Sequence, residues 1–173
     1  LLNALQELEA QVYIASIFNE SHVSTFADSI ENDRIYGNAI GQFESNLLVE
    51  IANLSGLATD AHLIAVATTY EQAAYAWLQI PAPQKLIPAH VQIANDFYKY
   101  AYSLRTIQAV DTDDPMISLV AAQQYSDIHS SLGEAHGTII NYFTNNGIIF
   151  SSDEPGSLLS GYGEYYASQS GIQ

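Results

Sequence analysis

At 173 residues the chain is sized for one domain with a substantial core, and its 48% hydrophobic content separates it from disordered sequences. Nineteen Asp and Glu against four Lys and Arg give a formal net charge of -15, too few cations to hold a phosphate backbone or an anionic lipid surface. The absence of cysteine removes disulfides, thiolate metal sites and cysteine nucleophiles.

Apolar residues recur at alternating steps of three and four, the period of a helix with one face packed on its neighbours. Leu1, Leu5, Leu8, Val12 and Ala15 predict a first helix. It opens without an initiating Met, so a signal or anchor segment is expected ahead of residue 1. Residues 18–31 read as a long connection. Tyr36, Ile40, Phe43, Leu47, Ile51 and Leu54 then predict a second helix, closed by Ser55-Gly56.

The third helix carries Leu63, Ala67, Tyr70, Ala74 and Trp77, with Thr59 or Asp60 as its cap, and Pro81 and Pro83 end it. Pro88 opens or bends the fourth, whose stripe runs Leu86, His90, Ile93, Phe97, Tyr100, Leu104 and Ile107. Asp114-Pro115 marks the cap and first residue of the fifth, with Ile117, Ala121, Gln124, Ile128, Leu132, Ala135, Ile139 and Tyr142 inward and Asn146-Gly147 as its end. The expected fold is all-α: an up-and-down bundle of about five helices over residues 1–147, followed by a 26-residue Gly, Ser and Tyr-rich tail over 148–173. The tail is expected either to lack order in part or to dock by Ile148, Ile149 and Phe150.

Asn95–Arg105, NDFYKYAYSLR, holds two of the four basic residues among three tyrosines. Its spacing continues the stripe, with Ile93, Phe97, Tyr100 and Leu104 on one face and Lys99, Tyr102 and Arg105 on others, so it reads as core with a solvated flank. GxxxG occurs at Gly37/Gly41 and at Gly133/Gly137. Small residues one turn apart allow close backbone approach, so the second and fifth helices are expected to touch there, the alternative being a notch for a ligand or partner helix. His129 and His136 share a face near Glu134 but lack the matching ligand pair of a metal site. Asp111, Asp113 and Asp114 lack the glycine and glutamate of an EF-hand loop, and read as an acidic helix start. Neither a metal nor another cofactor is expected. No P-loop, nucleophile elbow, Rossmann fingerprint or HExxH occurs.

Two segments, FADSIENDRIYGNAIG (residues 26–41) and DPMISLVAAQQYSDIHSSLGEAHGTIINYFTNNGIIF (114–150), carry a YGNAL-like helix start, an Asp-Pro opening a long last helix, and a YFxxNGIxF-like ending. In these the chain resembles a group of uncharacterised helical-bundle proteins, exported or membrane-anchored, from very small bacteria of the candidate phyla. The resemblance covers about a third of the chain. It implies an N-terminal membrane segment ahead of the helical domain, and no catalytic or binding residue.

The expected role is non-catalytic: an extracytoplasmic bundle in cell-envelope or surface assembly, like a minor pilus or secretion-apparatus subunit. Its partner would be a protein or another copy of the chain rather than nucleic acid, with membrane contact only through the segment ahead of residue 1. The alternative is a ligand-sensing or solute-binding bundle that holds a small molecule between helices near Tyr70, Trp77, Phe97 and Tyr100.

Overall fold

The computed structural model describes residues 15–109, 115–159 and 161. The expected first helix (Leu1, Leu5, Leu8 and Val12) and the acidic run Asp111–Asp114 lie outside the described residues. The fold is all-α, with four long helices among the described residues: α1 (Ile30–Asn53), α2 (Thr59–Trp77), α3 (Ile87–Ala109) and α4 (Pro115–Asn145). Two strands of two residues each, β1 (Thr25–Phe26) and β2 (Ala82–Pro83), pair in parallel and tie the connection before α1 to the loop before α3. Among the described residues no helix is long and apolar enough to cross a membrane.

Local chemistry sets the helix ends. Ser29, in extended backbone, accepts the amide N–H of Asn32 at 3.1 Å and caps α1, whose first turn holds Glu31 and Asp33 at the positive end of the helix dipole. The N-cap of α2 is Ala58 and gives no side-chain bond, so the cap expected from Thr59 or Asp60 falls inside the helix instead. Pro88 sits in the first turn of α3, where its missing N–H costs nothing. At the end of α4, Gly147 takes φ 68 and its N–H donates to the Thr144 carbonyl, while Ile148 donates to Phe143. This is the paired closure that glycine permits, with Ile148 and Phe143 both buried beside it.

The core gathers on the predicted stripes. Tyr36, Ile40, Trp77, Ile93 and Ile139 are at most 1% exposed, and full burial of such a side chain stabilises by roughly 1.5–3 kcal/mol. On the NDFYKYAYSLR helix Ile93, Phe97 and Leu104 are buried and Tyr102 is exposed, as the spacing requires. Ile107 is exposed, so that stripe ends one turn early, and on α4 the last inward residue is Phe143 rather than Tyr142.

Polar clamps fix how the elements meet. The Trp77 indole N–H donates to the His90 carbonyl at 3.0 Å, and His90 Nε2 donates to the Trp77 carbonyl at 3.0 Å. His90 Nδ1 must then accept, and it faces the Tyr36 hydroxyl at 3.0 Å. One neutral imidazole therefore locks α1, α2 and α3 together, and burial lowers its pKa to about 4. Asn95 anchors the connection before α1: its Oδ1 accepts the N–H groups of Ile17 and Phe18 at 2.9 Å each, and its Nδ2 donates to the Phe18 carbonyl.

The tail does not stand apart from the bundle. Ile148 and Leu159 are buried and Phe150 is half-buried, while Ile149 is 78% exposed, so two of the three expected anchors engage. Glu154 holds this segment on α1. Its carboxylate accepts from Arg34, from Asn38 Nδ2 at 3.1 Å and from the Ser151 amide and hydroxyl at 2.8 Å each. Gly156 N–H returns a bond to Asn38 Oδ1 at 2.9 Å.

That docking corrects the glycine expectation. A Cβ on Gly37 would overlap the Phe150 ring and press on Phe143 of α4 at 3.1 Å, and one on Gly41 would overlap the Pro155 backbone, so Gly41 is a notch for the C-terminal segment and Gly37 receives both that segment and a side chain of the last helix. A Cβ on Gly137 would meet nothing within 4 Å, and Gly133 is half-buried. The helices α1 and α4 meet through side chains instead: Tyr142 O–H to Asp33 Oδ2 at 2.9 Å, the Tyr36 and Phe143 rings 6.2 Å apart, and a Glu44–His136 pair.

Candidate functional site

Between α1, α3 and α4 lies a cleft of about 500 Å³, a size that suits a small organic molecule. Helix α1 supplies Glu44, Leu47, Leu48 and Ile51; α4 supplies Tyr125, His129, Leu132 and His136. Phe97 and Tyr100 of α3 and Tyr70 of α2 form the aromatic wall, and Leu158 and Gly161 of the docked C-terminal segment close one side. The docked segment therefore bounds the cleft.

The rings form a continuous ladder across three helices. Tyr70 lies 5.9 Å from Phe97 and 4.6 Å from Tyr100, Tyr100 lies 5.1 Å from Tyr125, and Tyr125 stacks on His129 with 3° between planes at 6.5 Å. Tilted pairs at such separations suit the ring quadrupoles and add about 0.5–1.5 kcal/mol beyond area burial. Burial raises the Tyr70 and Tyr100 pKa values, and Tyr125 adds to both, so these hydroxyls stay protonated as hydrogen-bond donors.

Of the four aromatic residues singled out in the sequence, Tyr70, Phe97 and Tyr100 line the cleft and Trp77 does not. Trp77 is fully buried behind the wall, 5.4 Å from Phe43, 5.8 Å from Phe97 and stacked on His90 at 5.0 Å. Its bonded place in the α2–α3 clamp makes it core. Gly37, Gly41, Gly133 and Gly137 are not cleft-lining residues.

The floor is polar. Glu44 and His136 are 3% and 4% exposed, and Glu44 Oε1 sits 2.5 Å from His136 Nε2. His136 Nδ1 donates to the Leu132 carbonyl at 2.7 Å. Burial works against a charged His136, but the Glu44 carboxylate, then the Leu132 carbonyl and Asp96, outweigh it and raise the pKa. The pair is thus an imidazolium held against a carboxylate. Glu44 Oε2 is buried with no donor among the described residues. An unsatisfied buried acceptor costs about 1–3 kcal/mol, and more when charged.

Behind the floor, Asp96 of α3 is 1% exposed and accepts from Gln92 Nε2 at 2.9 Å, while its Oδ2 also lacks a donor among the described residues. Burial raises its pKa against the pull of Ser131, Gln92, Lys99 and His136. It lines a second, smaller cavity of about 270 Å³ with Lys99 and Gln124. His136 thus feels a carboxylate on each of two neighbouring helices.

His129 and His136 share a face as their spacing requires and both line the cleft, while Glu134 is exposed and the carboxylate bonded to His136 is Glu44. A signal was present: Glu44 stands four after Ile40 and three before Leu47, and His136 four after Leu132 and three before Ile139, so each interrupts an apolar stripe. No family model, curated protein or solved structure matches the chain.

Proposed function

We propose that the protein is a non-catalytic binding bundle that holds a small organic molecule in the cleft between α1, α3 and α4. The observation that carries this reading is the joining of an aromatic wall to a buried Glu44–His136 floor in a space of about 500 Å³. Two features favour binding over chemistry. Among the described residues, the side chains lining the cleft include no Ser, Thr, Cys or Lys nucleophile. Both ring nitrogens of His136 are engaged, so it holds no lone pair ready to take a proton from a substrate.

The test is a screen of aromatic fragments by saturation-transfer NMR on the full chain, run beside Leu48→Trp. Leu48 is 51% exposed at the cleft, so an indole there fills the space without disturbing the core. Fragments that bind the wild type and lose at least about tenfold in affinity for the variant, a change of about 1.4 kcal/mol, support the reading. Fragments that bind both equally remove it.

Assembly at an envelope or cell surface is the second reading. Ile35, Leu48 and Val49 of α1 are 51–59% exposed and favour a protein partner or a second copy. A chain that stays monomeric at every concentration in sedimentation would exclude self-assembly. An extracytoplasmic setting is proposed with either reading, on the acidic, lysine-poor composition.

A further inference from the structure

The charge and hydrogen-bonding state of the cleft define the class of molecule it suits, and this step rests on the binding reading above. Among the described residues no Lys or Arg lines the cleft. The carboxylate among the described lining residues, Glu44, is more than nine-tenths buried, spends one oxygen on His136 and leaves the other without a donor among the described residues. His136 is shared between two acidic side chains, paired with Glu44 on one side and in the field of Asp96 on the other, so the imidazole leaves more than one acidic group in this cluster. Above it stand the tyrosine rings of positions 70, 100 and 125, whose faces are the negative poles of their quadrupoles. The chain as a whole carries a formal charge of -15, which repels anions and concentrates cations near any opening.

An anion would meet the Glu44 carboxylate and, among the described lining residues, no Lys or Arg to hold it. A neutral apolar molecule would fill the space and leave Glu44 Oε2 unsatisfied. A protonated amine on a flat apolar body meets both needs, with an N–H for the orphaned oxygen and a charge for the ring faces. We propose that the cleft is a site for an organic cation of this kind, an aryl-alkyl amine, its ammonium group directed to Glu44 and its body laid on Tyr70, Tyr100 and Tyr125.

The test uses three probes that share one ring system and differ in charge: tryptamine, neutral 3-methylindole and indole-3-propionate. Each is titrated into the full chain by calorimetry at neutral pH and low salt. Tryptamine is expected to bind at least about tenfold tighter than either isostere, as a charge-assisted hydrogen bond and cation–π contact together supply. Equal affinity for tryptamine and 3-methylindole, or tighter binding of the propionate, overturns the cation claim while leaving the cleft a binding site. Binding by none of the three overturns the binding reading itself.

Two variants locate the effect. Glu44→Gln should bring tryptamine down to the affinity of 3-methylindole. Because that change touches a buried pair, Tyr125→Leu serves beside it: Tyr125 is 44% exposed and its loss leaves Glu44 and His136 in place. Tyr125→Leu should weaken tryptamine several-fold more than 3-methylindole, and an equal loss for both would count against the cation contact.

Discussion

Two buried histidines give the molecule opposite responses to pH. His90, fully buried and neutral, has its pKa lowered to about 4 by burial, whereas His136 has its pKa raised through Glu44 despite burial. Between about pH 6.5 and 4 the unfolded chain protonates the residue at position 90 and the folded chain does not, so acid favours unfolding. The full span is worth about 3 kcal/mol at 1.36 kcal/mol per pH unit. His136 acts the other way: its contribution is complete below about pH 6.5 and is lost as pH rises through its folded value. Thermal melts of wild type and His90→Gln from pH 7 to 4 should show the variant less stable at pH 7, because it loses the Trp77–Tyr36 clamp. The gap should then narrow by up to about 3 kcal/mol toward pH 4. A gap that stays constant would mean that position 90 does not set the acid limb.

At the scale of elements, the C-terminal segment on α1 decides what each glycine does. Gly41→Ala drives a methyl group into the Pro155 backbone, which can yield only by lifting the segment, and such overpacking costs about 1–3 kcal/mol. Gly137→Ala meets open space on a helix, where alanine is favoured by about 1 kcal/mol. Urea denaturation should therefore show opposite signs for two substitutions that look alike in the sequence. Equal effects would contradict the docking.

The same segment shows where periodicity stops being informative. The stripes of α2 and α3 are legible because Ala67, Tyr70, Ala74 and Trp77, and Ile93, Phe97, Tyr100 and Leu104, keep steps of three and four without a break, and all but the two half-buried tyrosines are buried. The Glu154 anchor was not legible, since it joins single polar residues 116 and 120 positions apart that follow no period. The β1–β2 pairing is likewise two residues long on each side and joins distant loops. A helix stripe shows which face turns inward but not which segment covers it, and so Gly41 faces the C-terminal segment where the sequence points to the last helix, while Gly37 meets both.

For the whole molecule, the same limit applies to the cleft. Three of its aromatic residues were visible as stripe members, and Trp77 was grouped with them because periodicity cannot tell a wall from what lies behind it. Glu44 and His136 each broke a stripe, a sign that each needed a buried partner, yet only the approach of α1 to α4 pairs them. The resulting picture is a tightly clamped α1–α2–α3 core around His90, with an aromatic and acidic cleft beside it, bounded by the docked C-terminal segment. Function is assigned to the cleft because it joins an aromatic wall on three helices, an unsatisfied buried carboxylate oxygen and about 500 Å³ of space.

The most direct measurement of that claim is a two-dimensional NMR titration of the isotope-labelled chain with tryptamine. Saturable shifts centred on Leu48, Tyr100, Tyr125, His129 and Leu158, with the Trp77 indole signal little moved, are the predicted result. Shifts scattered over the acidic surface without saturation, or concentrated around the second cavity at Lys99 and Gln124, would contradict it.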